Sequence, residues 1–227
     1  MISLLQMREF FNGKRVAIIG SAPSCLDNRG DVIDGYDAVI RINNFKIAGF
    51  EKQVGERIDV HYSFYGNSIR TDFNDLKKRG LKLHMCKCPN SRPYVSQWHI
   101  ENKGPKDDCA YNFRYIYNLR DNTWVAPVYI PSEEHYLTLW EFVNRASPTT
   151  GFACIWEIMQ TDAAEVYITG FDFFTSRMHN VNEHWKKGRD DDPLRHRPDF
   201  ELERVKQWAM LPHVRVDRKL KEMIDAT

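Results

Sequence analysis

Arg15-Val16-Ala17-Ile18-Ile19 is a short β-branched run that ends abruptly at Gly20-Ser21-Ala22-Pro23-Ser24. A buried strand broken by a glycine and small polar residues is how a nucleotide-binding α/β unit opens. The rest of the chain continues that pattern. Residues 38–42 read as a second strand, 58–64 as a third and 81–85 as a fourth, with a helical stretch at 73–79 before the last. Residues 133–146 predict a helix with Tyr136, Trp140 and Val143 on one face. Residues 151–161 predict another, with Phe152, Ile155, Trp156 and Met159 at i, i+3, i+4 and i+7. A strand at 166–168 ends in Gly170. A late helix carries the stripe Leu202, Val205 and Ala209, with Glu201 and Glu203 in its first turn, where the helix dipole favours acids. Strands alternating with helices predict an α/β fold: one Rossmann-like domain over residues 1–227, its mostly parallel sheet flanked by helices. The stretch 88–131, rich in aromatics, Asn and Pro, is predicted to be an irregular lid or acceptor-facing region.

Composition narrows the partners. A net charge of +1 over 227 residues gives no global electrostatic attraction for nucleic acid. The basic residues Arg189, Arg195, Arg197 and Arg204 are interleaved with acids, as on a solvated face. Five scattered cysteines contain no second CxC or CxxC to complete a zinc site, so Cys86 and Cys88 read as strand residues and no metal ligand set is expected. Unpaired thiols suit a reducing compartment. The first fifteen residues have too short an apolar run for a signal peptide, and no stretch is long enough to span a bilayer. The expectation is a cytoplasmic protein with at most a peripheral association with the inner membrane.

In parallel sheets, ligands bind beyond the carboxyl ends of the strands. That rule gathers Gly20, Ser21 and Ala22, then Asn43 and Asn44, then Phe171 and Asp172 around one cleft. The turn at Gly20 could bring amides to a phosphate, although it is neither GxGxxG nor a P-loop; a plain strand-to-helix turn explains it equally well. Asp37, Val39, Arg41 and Asn43 alternate onto one strand face. An Arg41–Asp salt bridge is expected to hold the sheet, leaving Asn43 at the strand end as the ligand contact. Thr149, Thr150 and Gly151 precede the apolar helix, where hydroxyls and free amides suit a ribose or phosphate oxygen, and where capping alone accounts for one threonine. Of the C-terminal histidines, His196 falls just ahead of the late helix, with Glu201 in its first turn to orient or charge-tune the imidazole. Histidine suits a general base because its pKa lies near neutrality.

These stretches resemble the sialyl motifs of glycosyltransferase family 29, the animal-type sialyltransferases. Val16 to Ser21, Asp37 to Asn43, and Gly49 to Arg57 resemble the long motif. Pro148 to Phe152, running on to Glu165 through Phe171, resembles the short one. His184-Trp185 resembles the third motif, and His196 with Glu201 matches the very short motif, H-x4-E. All four occur in the family's order across roughly residues 15 to 205.

The resemblance implies a GT-A-like Rossmann variant and an inverting, metal-independent transfer from a CMP-sugar to a glycan or glycolipid acceptor. His196 would be the general base, and His184 would assist the departing phosphate. Ser21, Asn43, Thr149, Thr150 and Gly151 would hold the nucleotide. Two departures stand out. Ser21 replaces the family's usual Asn, so that contact must be shorter or water-mediated. Arg15 and Thr161-Asp162 stand near where the family's disulfide cysteines are expected, which fits a short bacterial or viral version. Three rivals remain: a CMP-Kdo transferase with the same nucleotide contacts, a catalytically silent nucleotide- or glycan-binding module, and a dinucleotide oxidoreductase. The histidine–glutamate pair disfavours the second. The absent glycine triplet, with Arg41 and Asn43 where an acidic ribose ligand is looked for, disfavours the third.

Overall fold

The computed structural model describes residues 1–64, 72–89, 125–174 and 196–226. Helix α1 (Leu4–Phe11) opens with a reciprocal cap, the Ser3 hydroxyl accepting from Gln6 N while the Gln6 side chain accepts from Ser3 N. There follow β1 (Arg15–Ile19), a 3-10 turn (Pro23–Asp27), α2 (Gly30–Asp34), β2 (Ala38–Ile42), α3 (Glu51–Val54), β3 (Val60–Ser63), α4 (Phe73–Lys78) and β4 (Leu83–Cys86). The second half holds β5 (Val128–Tyr129), α5 (Glu133–Phe142), α6 (Thr150–Met159), β6 (Glu165–Thr169), α7 (Pro198–Ala209), β7 (Val214–Val216) and α8 (Arg218–Asp225).

Among the described residues the strands form one seven-stranded sheet in the order β5-β4-β3-β2-β1-β6-β7, with every pairing parallel. An all-parallel sheet must be covered on both faces, and the alternation along β1 shows how. Val16 and Ile18 join a core with Met7 and Phe11 of α1, Leu139 of α5, Ile155 of α6, Val205 of α7 and Leu220 of α8. Ala17 and Ile19 face the opposite way, against Cys25, Ile33 and Val54. The strand order reverses at β1: the chain moves out through β2 to β5, then returns to β6 on the other side. Beyond the carboxyl ends of β1 and β6 lies the switch point where ligands of such sheets bind.

The elements expected from the sequence are present, with ends shifted by a few residues. Helices α1, α2, α3 and α8 and strands β5 and β7 were not foreseen. Strands of two and three residues are too short to carry a periodic signal. The tail of the expected lid is corrected here, because Ala126, Val128 and Tyr129 are buried and Val128–Tyr129 pairs with β4; residues 90–124 lie outside the described residues. A second correction concerns Arg41. Its guanidinium is buried, and it donates to the carbonyls of Arg57 at 2.8 Å, Val54 at 2.7 Å and Gly55 at 3.2 Å. The partners are carbonyls rather than an aspartate, so the residue clamps the turn after α3 against β2.

Two histidines face each other across β3 and β4, His61 and His84 being register partners with ring centroids 6.2 Å apart. Nε2–H of His61 donates to the Asn43 carbonyl at 2.9 Å. Burial pushes His61 down to about 4 and His84 to about 3, so both are neutral at physiological pH. Because the folded values lie below the unfolded one, the unfolded chain takes up these protons first. The stability they permit is complete above about pH 6.5 and is lost as the pH falls toward 4, on the order of 3 kcal/mol for His61 alone. Thermal melting should therefore show a midpoint that declines between pH 6.5 and 4.5, with a shallower decline in His84→Gln; equal slopes would place the acid sensitivity elsewhere.

Candidate functional site

The site is assembled around backbone contacts that only glycine permits. A Cβ on Gly20 would lie 2.2 Å from the Gly170 carbonyl oxygen, and Gly170 itself adopts φ of +75°. Gly20 N donates to Thr169 O at 2.8 Å and Ala22 N to Gly170 O at 2.9 Å, so the turns after β1 and β6 leave the sheet together. Asp217, the N-cap of α8, ties this junction from below. Its carboxylate accepts from Ser24 Oγ, Thr169 Oγ1 and Gly170 N at 2.8–2.9 Å, and from Leu220 N at 2.7 Å.

The ring of Phe171 packs where a Cβ on Gly151 would meet it at 2.6 Å, and a Cβ on Gly20 at 3.1 Å. Phe171, foreseen as a ligand residue, thus joins β1, β6 and the start of α6 by packing. After it, Phe173 and Phe174 both take left-handed φ, of 50° and 68°, a strained pair of the kind found at functional sites. Asp172 accepts from Phe174 N at 3.2 Å, and Phe174 stacks on His196 with centroids 6.2 Å apart.

Three consecutive residues ahead of α6 are then held from outside. Ser147 O accepts from His196 Nδ1 at 2.7 Å. A carbonyl can only accept, so the neutral imidazole carries its proton on Nδ1 and its basic lone pair on Nε2. Pro148 O accepts from the buried Lys87 Nζ at 2.7 Å. Thr149 donates from both N and Oγ1 to Glu201, each at 2.7 Å, while its hydroxyl accepts from Phe152 N as the helix cap. Of the two threonines, Thr149 is therefore the cap, and Thr150 stands in the first turn.

Glu201 differs from its expected part. Its carboxylate bonds Thr149, so its connection to the imidazole runs through the Ser147–Thr149 segment. Burial lifts it to about 7, opposed by the two Thr149 bonds and the Lys87 charge. Its sign is opposite to that of the buried histidines: the cost of ionising it is absent below about pH 4.5 and complete above 7.

Asn43 has φ of 50°, and its Oδ1 accepts from Ser63 Oγ at 3.1 Å. It lines a cleft of about 130 Å³ with Phe45, His61 and Asp72. Ala22 and Asp172 line another of about 240 Å³ with Ser24 and Arg218. The structure thus brings Gly20, Ala22, Gly151, Phe171 and Asp172 together and links His196 to Thr149. Ser21 is half-buried in the turn after β1. His184 lies outside the described residues. Lys87, Ser147 and Asp217 were not singled out in the sequence; Asp217 before Arg-Lys-Leu-Lys-Glu-Met-Ile carried a readable cap signal. Among the described residues, no group of three or more His, Cys, Asp or Glu is placed to hold a metal ion, and no helix is long and apolar enough to cross a membrane.

Fold and site together define a Rossmann-like α/β protein with its cleft at the switch point of a parallel sheet. The family model "Glycosyltransferase family 29 (sialyltransferase)" matches residues 14–209, and the chain belongs to that family. No curated protein matches. Similar solved structures include a mammalian sialyltransferase in complex with Gal-beta-1-3GalNAc-ortho-nitrophenol, at 17% identity and TM-score 0.54, covering 95% of this chain and 73% of that one. The monofunctional alpha-2,3-sialyltransferase Cst-I from Campylobacter jejuni is similar at 15% identity and TM-score 0.54, with 90% and 74% covered. The sialyltransferase CST-II in complex with CMP is similar at 15% identity and TM-score 0.53, with 86% and 77% covered. At these identities the likeness is one of fold.

Replacing Glu201 separates its bonds from its charge. Glu201→Ala leaves two donors of Thr149 without their acceptor, at about 1–3 kcal/mol each, and should lower the melting midpoint by roughly 5–15 °C. Glu201→Gln keeps an acceptor without an ionisable group and should stay within a few degrees of wild type. Equal losses in both would show that charge, not bonding, is what Thr149 requires.

Proposed function

We propose that this enzyme transfers sialic acid, or a related keto-sugar, from a CMP-activated donor to a glycan hydroxyl with inversion. The observation that carries this is the bond from His196 Nδ1 to the Ser147 carbonyl, which leaves Nε2 as the basic nitrogen at the start of α7. Nε2 takes the proton of the acceptor hydroxyl as its oxygen bonds to the anomeric carbon. The bond from that carbon to the phosphate oxygen breaks, and CMP departs with the electron pair. His184 and backbone amides meet the charge growing on the phosphate. The amides of the first turn of α6, with the Thr150 hydroxyl, and the turn at Gly20-Ser21 hold the nucleotide; Asn43 and Asp172 contact its nucleoside part.

The CMP complex of CST-II and the disaccharide complex of the mammalian enzyme support these donor and acceptor classes. A keto-sugar phosphodiester leaves readily, so we assign no divalent ion to the reaction. Cys86, Cys88 and Cys154 are buried free thiols, which supports a reducing, cytoplasmic setting; contact with membranes would be peripheral.

Excess EDTA, CMP-sialic acid and a panel of glycan acceptors test the reading, with donor hydrolysis read in their absence. Wild type should turn over, and His196→Ala should lower kcat by about 10²–10⁴-fold. Calorimetry should show CMP binding tighter than UDP, GDP or NAD and little changed in the variant. Near-normal turnover in His196→Ala would remove it as the base. Activity that needs manganese or magnesium would overturn the metal-free mechanism, and preference for CMP-Kdo would reassign the donor.

A further inference from the structure

Lys87 takes no part in the chemistry above, yet its side chain is buried beyond the end of β4, between Cys86 and Cys88. Burying an ammonium is costly, and an apolar side chain of similar length would fill the same space without that cost. What the ammonium does is specific. Nζ donates to Pro148 O at 2.7 Å, and the Lys87 amide donates to Ser63 O at 2.9 Å. Ser63 in turn donates its hydroxyl to Asn43. Lys87 thus joins the ends of β2 and β3 to the segment that precedes α6.

Residues 147–149 belong to no helix or strand. Proline sets its own φ and pushes Ser147 toward an extended backbone. The neighbouring carbonyls are then taken by different elements, Ser147 by His196 and Pro148 by Lys87, while Glu201 holds Thr149. His196 and Glu201 both come from the start of α7 and would move with it. Lys87 comes instead from the end of β4, so its bond ties the Pro148 carbonyl to the sheet, beside the packing of Phe171 at the start of α6.

We propose that Lys87 is a positioning residue for transfer: by holding the Pro148 carbonyl to the end of β4, it sets the Ser147 carbonyl that orients His196 and fixes the start of α6. The inference rests on the proposed transfer reaction for its consequence in turnover, and on geometry alone for its effect on His196. Misplacing a catalytic group by about an ångström costs on the order of 10²-fold in rate.

Two readouts on the full chain test it, steady-state kinetics and ¹⁵N NMR of the histidine side chains, with His196 assigned by its loss in His196→Ala. In wild type, His196 should show the Nδ1–H tautomer. Lys87→Met should lower kcat by about 10–100-fold, with a smaller change in KM, and should shift His196 toward a mixture of tautomers. Lys87→Gln, which keeps an N–H donor without the charge, should recover part of both. Turnover lost with His196 resonances unmoved would make Lys87 a merely structural residue and overturn the proposal, as would no change in either readout. If Lys87→Met does not fold, Lys87→Gln decides: an intermediate kcat with a partly shifted tautomer supports the inference, and wild-type values in both refute it. Should wild type transfer nothing while Lys87→Met still moves the His196 resonances, the proposed function falls and the positioning role stands.

Discussion

Gly20 and Gly170 leave their strands so close together that a single methyl group between them would overlap backbone atoms. The rest of the site depends on this approach. It lets the turns after β1 and β6 share hydrogen bonds, which opens the crevice at the one place where the strand order reverses. It also makes room for the Phe171 ring to reach Gly151 and so dock the start of α6 against both strands. Asp217 then gathers four donors from the same junction onto one carboxylate, binding the last helix to the switch point.

Above that junction, polarity rather than packing does the positioning. Ser147, Pro148 and Thr149 are held by a histidine, a lysine and a glutamate from two separate parts of the chain. The lysine and the glutamate are both buried, so each lowers the electrostatic cost of the other. The same bonds that hold the backbone decide which nitrogen of His196 is basic. The carbonyl that orients the imidazole therefore belongs to the same segment that leads into α6.

The buried cations and imidazoles of the sheet have a quieter part. Arg41 holds the turn after α3 by donating to three carbonyls, and His61 with Ser63 holds Asn43 in a left-handed conformation at the end of β2. Asn tolerates that conformation better than most residues. A residue foreseen as a ligand contact is thus presented by a rigid scaffold, which leaves its side-chain amide aimed by its neighbours.

Much was legible in the chain before any fold was known. β-Branched runs ended by glycine, and apolar residues at helical spacing, are local signals, because burial on a sheet or helix face imposes its period on neighbouring residues. Hence β1, β2, β6 and α6 could be read directly, and the order of the four sialyl motifs carried the family. Pairwise contacts across long separations were not legible. Thr149 and Thr150 look alike in sequence; Thr149 caps α6, and its hydroxyl also donates to Glu201, 52 residues away. Glu201 lies five residues from His196, yet it bonds to Thr149, because α7 presents it to the segment ahead of α6. Lys87 and Asp217 gained their meaning only when strands distant in the chain became neighbours in the sheet. A polar group's partner is set by three-dimensional proximity, and no local period encodes it.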